Sequence, residues 1–253
     1  MQNTATLKIN FMSSPYLIQE TNLSTAWYTI FNHVIKSPGI EISPLILTLT
    51  EFEESDNTRK VLDESLRANQ FHSIDTVAET IFPDSLYQIC KYNREELYRR
   101  YKRNLPRIKK VDSGNRRGTY FERLIAFDEK KQVNQLEIII TSLLDKNNKR
   151  RSKLQASIFD PTQDHLPDAY QKFPCLQHVT FYKSETGGLI LNSFYAIQYL
   201  YQRAYGNWLG LINLGKFVAR ESNMNFERFN CFIGIEKLDE LTKTNAKKLF
   251  DKI

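Results

Sequence analysis

Cysteine is scarce in this 253-residue chain: Cys90, Cys175 and Cys231 are odd in number, far apart, and form no CxxC pair. That argues against a disulfide framework and the common thiolate zinc sites, so reduced thiols and no metal ligand set are the expectation. No apolar run approaches the ~18 residues that suggest a membrane span. The opening MQNTATLKINFMSSPYLIQE lacks the continuous apolar core of a secretory signal. A cytoplasmic protein without a membrane partner is therefore expected. Also missing are a glycine-rich phosphate loop, an HExxH helix and a Ser-His-Asp arrangement at workable spacing. P-loop, dinucleotide-binding, zinc-hydrolase and serine-hydrolase chemistry drop out with them. The chain has neither repeats nor low-complexity segments.

What is present is apolar enough to fold. Hydrophobic residues make up 41% and aromatics 12%, against disorder, and a chain this long buries roughly 70–75% of its unfolded surface. The formal net charge is +6, and much of it sits in KYNREELYRRYKRNLPRIKK, residues 91–110, where nine basic residues face two acidic ones. Leu97, Tyr101 and Leu105 recur there at helical spacing, which reads as an amphipathic helix with a solvated basic face. A small anionic ligand is the second reading of that charge, and nucleic acid the weakest.

The periodicities give an α/β chain. AWYTIFNHVIK reads as a helix ending before SPG, ISPLILTLTEF as a strand, and NTRKVLDESLRAN and IDTVAETIF as helices, the last stopped by Pro83. VDSGNRRGTYFERLIAF is turn-rich, NQLEIIITSLL is a helix with Leu136, Ile139, Ile140, Leu143 and Leu144 on its apolar face, and KLQASIF is a strand. CLQHVTFYK alternates with Cys175, Gln177, Val179 and Phe181 on one face, and a turn at Gly187 and Gly188 makes a hairpin with LILNSFYAI. A long helix should follow, on a stripe running from Ile197 through Tyr201, Ala204, Trp208, Leu211 and Gly215 to Val218. Only the last dozen residues look expendable. The division drawn is an N-terminal α/β segment, 1–105, either integral to the same domain or extending it, and a core, 106–253.

Three places carry possible chemistry. In FPCLQHVTFY, Cys175 directly follows a proline at a strand entrance. It is either a buried structural thiol or a nucleophile, and neighbouring arginines would favour its thiolate. Arg150 and Arg151 stand in tandem between a helix end and a strand start, where they either cap the helix or fork onto a phosphate. Asn207 sits in an apolar helical stretch beside Gly206, so its amide either bonds locally or points into a pocket. His178 lies on the strand face opposite Cys175 and reads as a packed or surface histidine. Tyr195, Tyr199, Tyr201, Tyr205 and Trp208 read as core and pocket wall.

From about Asn115 to Asp239 the order of motifs resembles the thymidylate synthase superfamily, which includes the pyrimidine nucleotide hydroxymethylases. NRRGTYFERL resembles its phosphate-binding arginine loop, KRRSKLQASIFDPTQD its paired arginines with a strand and an acidic turn, and FPCLQHVTFY its nucleophile strand. YGNWLGLINLGKFVARESN resembles the helix whose asparagine reads the pyrimidine edge, and FNCFIGIEKLD the last strand entering the active site. The resemblance implies a thymidylate-synthase-like mixed sheet packed by helices, a homodimer, and methylation or hydroxymethylation at C5 of a pyrimidine nucleotide. By the same resemblance Cys175 would add to C6, Arg116, Arg150 and Arg151 would hold phosphate, Arg150 and Arg151 reaching the partner's site, and Asn207 would meet the base. 5,10-Methylenetetrahydrofolate would be the cofactor. The sequence departs from the pattern in three places. An alignment that matches Asn207 puts Ala196, Ile197 and Tyr199 where the family has Arg-Ser and Asp, and a shifted one recovers Arg203 but leaves Gly206 for the Asp. The family's His-x-Tyr appears as Lys237 and Asp239. Gln198, Tyr199, Lys237 and Asp239 are therefore the candidate substitutes for positioning the substrate. A homologue that binds a nucleotide without turnover is the alternative.

Overall fold

The computed structural model describes residues 14–253 except 129, 148–149, 166 and 168–172; most of the N-terminal stretch read for a secretory signal lies outside the described residues. In chain order the elements are β1 Tyr16–Asn22, α1 Leu23–Lys36, β2 Glu41–Ile42, β3 Leu45–Glu53, α2 Asp56–Ala68, α3 Ile74–Ile81, α4 Asp84–Ile89 and α5 Arg94–Val111. There follow α6 Tyr120–Ile125, α7 Gln135–Leu144, β4 Gln155–Ser157, α8 Pro161–Asp164, β5 Leu176–Lys183, β6 Leu189–Tyr199, α9 Tyr205–Glu221, β7 Phe226–Lys237 and α10 Lys243–Phe250. The strands form one seven-stranded mixed sheet in the order β1-β3-β7-β6-β5-β4, with β2 against β7. Residues before 105 thus supply three strands of the same sheet.

Alternation decides which face is buried. Ile18, Leu47, Cys231, Ser193, Val179 and Ala156 are register partners across six strands, and all are buried. One residue along, Thr48, Asn230, Asn192 and Thr180 form the opposite row, which is hydrogen-bonded side chain to side chain. Thr48 donates to Asn230, Asn230 to Asn192 and Asn192 to Thr180, at 3.0, 2.7 and 3.0 Å. The next row outward places Leu17, Ile46, Phe232, Phe194 and His178 side by side. Phe194 and Phe232 stack at 5.5 Å and are each 40% exposed. Helices cover the first face, and the second is open.

The helices begin where side chains take up free N–H groups: Asn22, Ser55, Ser73, Asn93, Thr119 and Asn134 each accept from a backbone N–H in the first turn. The helix expected from Ile197 starts later. Ile197, Gln198 and Tyr199 pair in parallel with Ile235, Glu236 and Lys237, so the sheet captures them, and a single π-helical turn, Leu200–Ala204, links β6 to α9. The single-faced alternation read for CLQHVTFYK is also corrected. The register shifts between Leu176 and His178, so Leu176, Val179 and Phe181 are buried while Gln177 stands out of the row. The final dozen residues are not expendable, because α10 buries Ala246 and Leu249 and stacks Phe250 on Tyr28 at 4.3 Å.

Candidate functional site

Strands β6 and β7 are parallel neighbours, and open sheets of this kind hold ligands beyond the carboxyl ends of such strands. Here those ends meet the π-helical turn, the N-terminus of α9, the entrance to β5 and the loop before α6. They enclose a cavity of about 220 Å³ whose lining includes Cys175, Gln198, Tyr199, Arg203, Asn207 and Tyr120. His72, Thr76, Val77 and Thr80 close it from the N-terminal side.

Local chemistry sets each wall. Gly118 has φ +125°, a conformation that side chains disfavour, and turns the chain into α6. There the Thr119 hydroxyl accepts from Glu122 N–H at 3.1 Å and meets the Tyr101 hydroxyl at 2.7 Å. This fixes Tyr120 at the cavity. Across from it, α9 lies so close to α3 that a Cβ on Gly206 would stand 2.6 Å from Val77 Cβ and 2.9 Å from the Ile74 carbonyl oxygen. Glycine at 206 is thus a packing requirement, and it brings Val77 and Asn207 to the same wall. The π-helical turn is clamped by the N-terminal helices. Trp27 Nε1 donates to the Leu200 carbonyl at 3.0 Å, Ser24 meets the Tyr205 hydroxyl at 2.8 Å and Ser65 meets that of Tyr201 at 2.8 Å. The turn, which joins β6 to α9, carries Arg203 into the cavity.

The electrostatics are unusual at this end of the sheet. Gln198 and Glu236, opposite each other in the ladder, are 2% and 0% exposed, and neither amide nor carboxylate has a hydrogen-bond partner among the described residues. Tyr195 Oη and Asp239 Oδ2 are likewise buried and unpartnered among the described residues. Each such group costs roughly 1–3 kcal/mol, so their concentration marks a place completed by water or a polar ligand. Burial pushes Glu236 well above the usual carboxylate range, which favours the neutral acid. Burial also raises Cys175, with Arg203 offsetting part of the shift, and raises Tyr120. Asp239 is raised by burial too, with Lys237 and Arg203 opposing.

Of the residues singled out in the sequence, Cys175, Gln198, Tyr199 and Asn207 line this one cavity. Lys237 and Asp239 follow at the end of β7, where Lys237 lies 3.6 Å from Glu41 and Asp239 holds φ +75°. Arg116, Arg150 and Arg151 are exposed and are not among the lining residues. The acidic turn of FDPTQD serves the fold, since Asp164 accepts from buried Arg123 at 2.9 Å. His178 is near Ser157 and Gln155, away from the thiol. Tyr120, His72, Thr76 and Thr80 were not legible as site residues, because helix periodicity and capping do not report which distant strand end a helix will cover. Compared with models of known families and with curated proteins, the chain matches none.

Proposed function

We propose that the protein is a transferase that methylates or hydroxymethylates C5 of a pyrimidine nucleotide through an adduct of Cys175. The observation that carries this reading is the meeting of Cys175, at the entrance to β5, with Gln198, Arg203 and Asn207, from the continuous stretch that runs from β6 into α9, on one cavity. A thiol, an amide and a guanidinium are what addition to a polarised ring requires: a soft nucleophile, a partner for the ring edge and a cation for developing negative charge. In the step, Cys175 gives its proton to water and Sγ bonds to C6. The C5–C6 electron pair moves toward C5 and the C4 oxygen, where the Asn207 amide and Arg203 guanidinium are the donors at hand. Once C5 has taken the one-carbon unit, its proton would leave to water, and the pair so freed would re-form the C5–C6 double bond as the C6–S pair returns to sulfur; hydride from the folate would complete a methyl group, and water a hydroxymethyl group.

5,10-Methylenetetrahydrofolate would supply the one-carbon unit. Its flat ring system needs an aromatic surface beside the nucleotide, and Tyr199, 40% exposed, and Phe173, a buried lining residue of the cavity, are the aromatic groups that would hold it.

A homodimer through the open sheet face is part of the proposal. A two-fold contact needs a self-complementary surface, and the Thr48–Asn230–Asn192–Thr180 row has the same residue types from either end. The stacked Phe194 and Phe232 beside it supply apolar area. In such a dimer the exposed Arg150 and Arg151 would serve the partner's cavity, as the resemblance implies. The free state of all three cysteines fits a cytoplasmic protein, and among the described residues no helix is long and apolar enough to cross a membrane.

The test is tritium release from C5-labelled uracil and cytosine nucleotides, ribose and deoxyribose, with and without the folate. Release that disappears in Cys175→Ala supports the reading. Nucleotide binding without release would favour the alternative, a nucleotide-binding homologue without turnover, which the raised thiol also suits.

A further inference from the structure

Outside the cavity lies a wider vestibule of about 830 Å³ that shares His72, Thr76, Thr80, Asp112 and Asn115 with it. Its added wall is α5, through Asn104, Arg107, Ile108 and Val111. The cations of α5 divide into two groups. Arg94 pairs with Glu137 and Glu221, Arg99 and Arg100 with Glu96, and Lys109 with Glu122. Lys102, Arg103, Arg107 and Lys110 are exposed and have no ion pair or hydrogen bond among the described residues. The spacing of four and three places Arg103, Arg107 and Lys110 along one side of the helix, and of these Arg107 stands in the vestibule wall. Lys110 also complements the carbonyl end of α5 from its last turn, but Arg103 and Arg107 lie before that turn, so capping does not account for them. The one carboxylate in the vestibule wall, Asp112, is already engaged by Gly114 N–H at 2.7 Å and lies 3.6 Å from His72. The remaining wall contains no lysine or arginine.

We propose that this row holds the polyphosphate of the substrate, and that the substrate is a pyrimidine nucleoside 5′-di- or triphosphate. The inference rests on the reading that the cavity takes a pyrimidine nucleotide. A row of three cations extends over about 10 Å at 1.5 Å per residue, which is more than a single phosphate uses, and its middle member, Arg107, stands in the vestibule wall. Because the cations follow one helix, they suit a tail that ends, whereas a polynucleotide continues on both sides of the bound base.

Calorimetric titration of the full chain with uridine and cytidine mono-, di- and triphosphates, inorganic tripolyphosphate and a short single-stranded oligonucleotide tests this. Affinity is expected to rise with each phosphate and to fall with salt. Arg107→Ala should lose about tenfold or more for the triphosphate and less than about twofold for the monophosphate, with Arg107→Lys intermediate. Equal affinity along the phosphate series, or an equal loss for every member in Arg107→Ala, overturns the inference while leaving the nucleotide reading standing. Oligonucleotide binding tighter than triphosphate binding overturns it in favour of a nucleic-acid groove. Arg107-dependent binding of tripolyphosphate, with no added affinity from a pyrimidine, keeps the anion site and removes the nucleotide. Binding of none removes both.

Discussion

At the scale of single residues, the two informative groups are a thiol and an acid whose burial opposes their charged forms. Cys175 reacts as the thiolate, and its pKa is raised above the ordinary thiol value. Alkylation by iodoacetamide should therefore be slow at neutral pH and still be climbing, by up to about tenfold per unit, above pH ~8.5, where a free thiol levels off. Removing the offsetting cation in Arg203→Ala should shift the profile further up. Cys90 and Cys231 are 5% and 1% exposed, so mass spectrometry of the alkylated peptide reads Cys175 directly. A plateau at or below pH 8 would contradict the desolvated site. Glu236 is an acid whose folded pKa lies above its unfolded value, so the folded state holds the extra proton. Its contribution to stability is complete below the unfolded pKa of ~4.3 and is lost as pH rises toward the folded value, at most about 1.4 kcal/mol per unit. Glu236→Gln carries no such proton. Urea midpoints between pH 5 and 8 should fall less steeply in the variant than in the native chain, and parallel slopes would refute the buried acid.

At the scale of elements, the decisive contact is between α3 and α9. Gly206→Ala puts a methyl group into space already filled by Val77 and the Ile74 carbonyl, which should cost roughly 1–3 kcal/mol. Because Val77 and Asn207 line the cavity, nucleotide affinity should drop with it. Denaturant midpoints together with titration measure both, and a variant of unchanged stability would mean that the helices separate freely. Elements like these were legible where the signal was local. The stripes of α1, α3, α5 and α7, the turn at Gly187 and the proline after α3 are properties of neighbouring residues. Strand β1 went unread because its reason is distant: YLIQETN is held by parallel pairing to β3, which the segment itself does not announce. The same holds for the end of β6, where a helical spacing from Ile197 was overridden by pairing with β7. Of the residues lining the cavity, Cys175 was read from a proline-cysteine strand entrance, and Asn207 from the resemblance together with the place of its amide in an apolar helix. Arg203 emerged only from a shifted alignment, because a π-helical turn breaks the period that would have aimed it. Arg107 stood unmarked in a basic run until the pairing of its neighbours set it apart.

At the scale of the whole molecule, the open sheet face is where the proposed dimer would form. If two copies meet through it, sedimentation should give twice the 29.7 kDa of the chain. Phe232→Lys, on a residue already 40% exposed, should leave the fold intact and shift the protein to monomer, since buried unpaired charges are costly in an interface. Monomeric native protein at micromolar concentration would reject the dimer. The order of the strands also has a consequence for how the protein is made. Strand β7, which joins β3 to β6, is translated after every other strand. Until it leaves the ribosome, the nascent chain carries two sheet fragments with bare inner edges, one from β1 and β3 and one from β4, β5 and β6, and such edges are templates for mispairing. The late arrival of one strand thus sets the interval in which this chain is most open to mispairing.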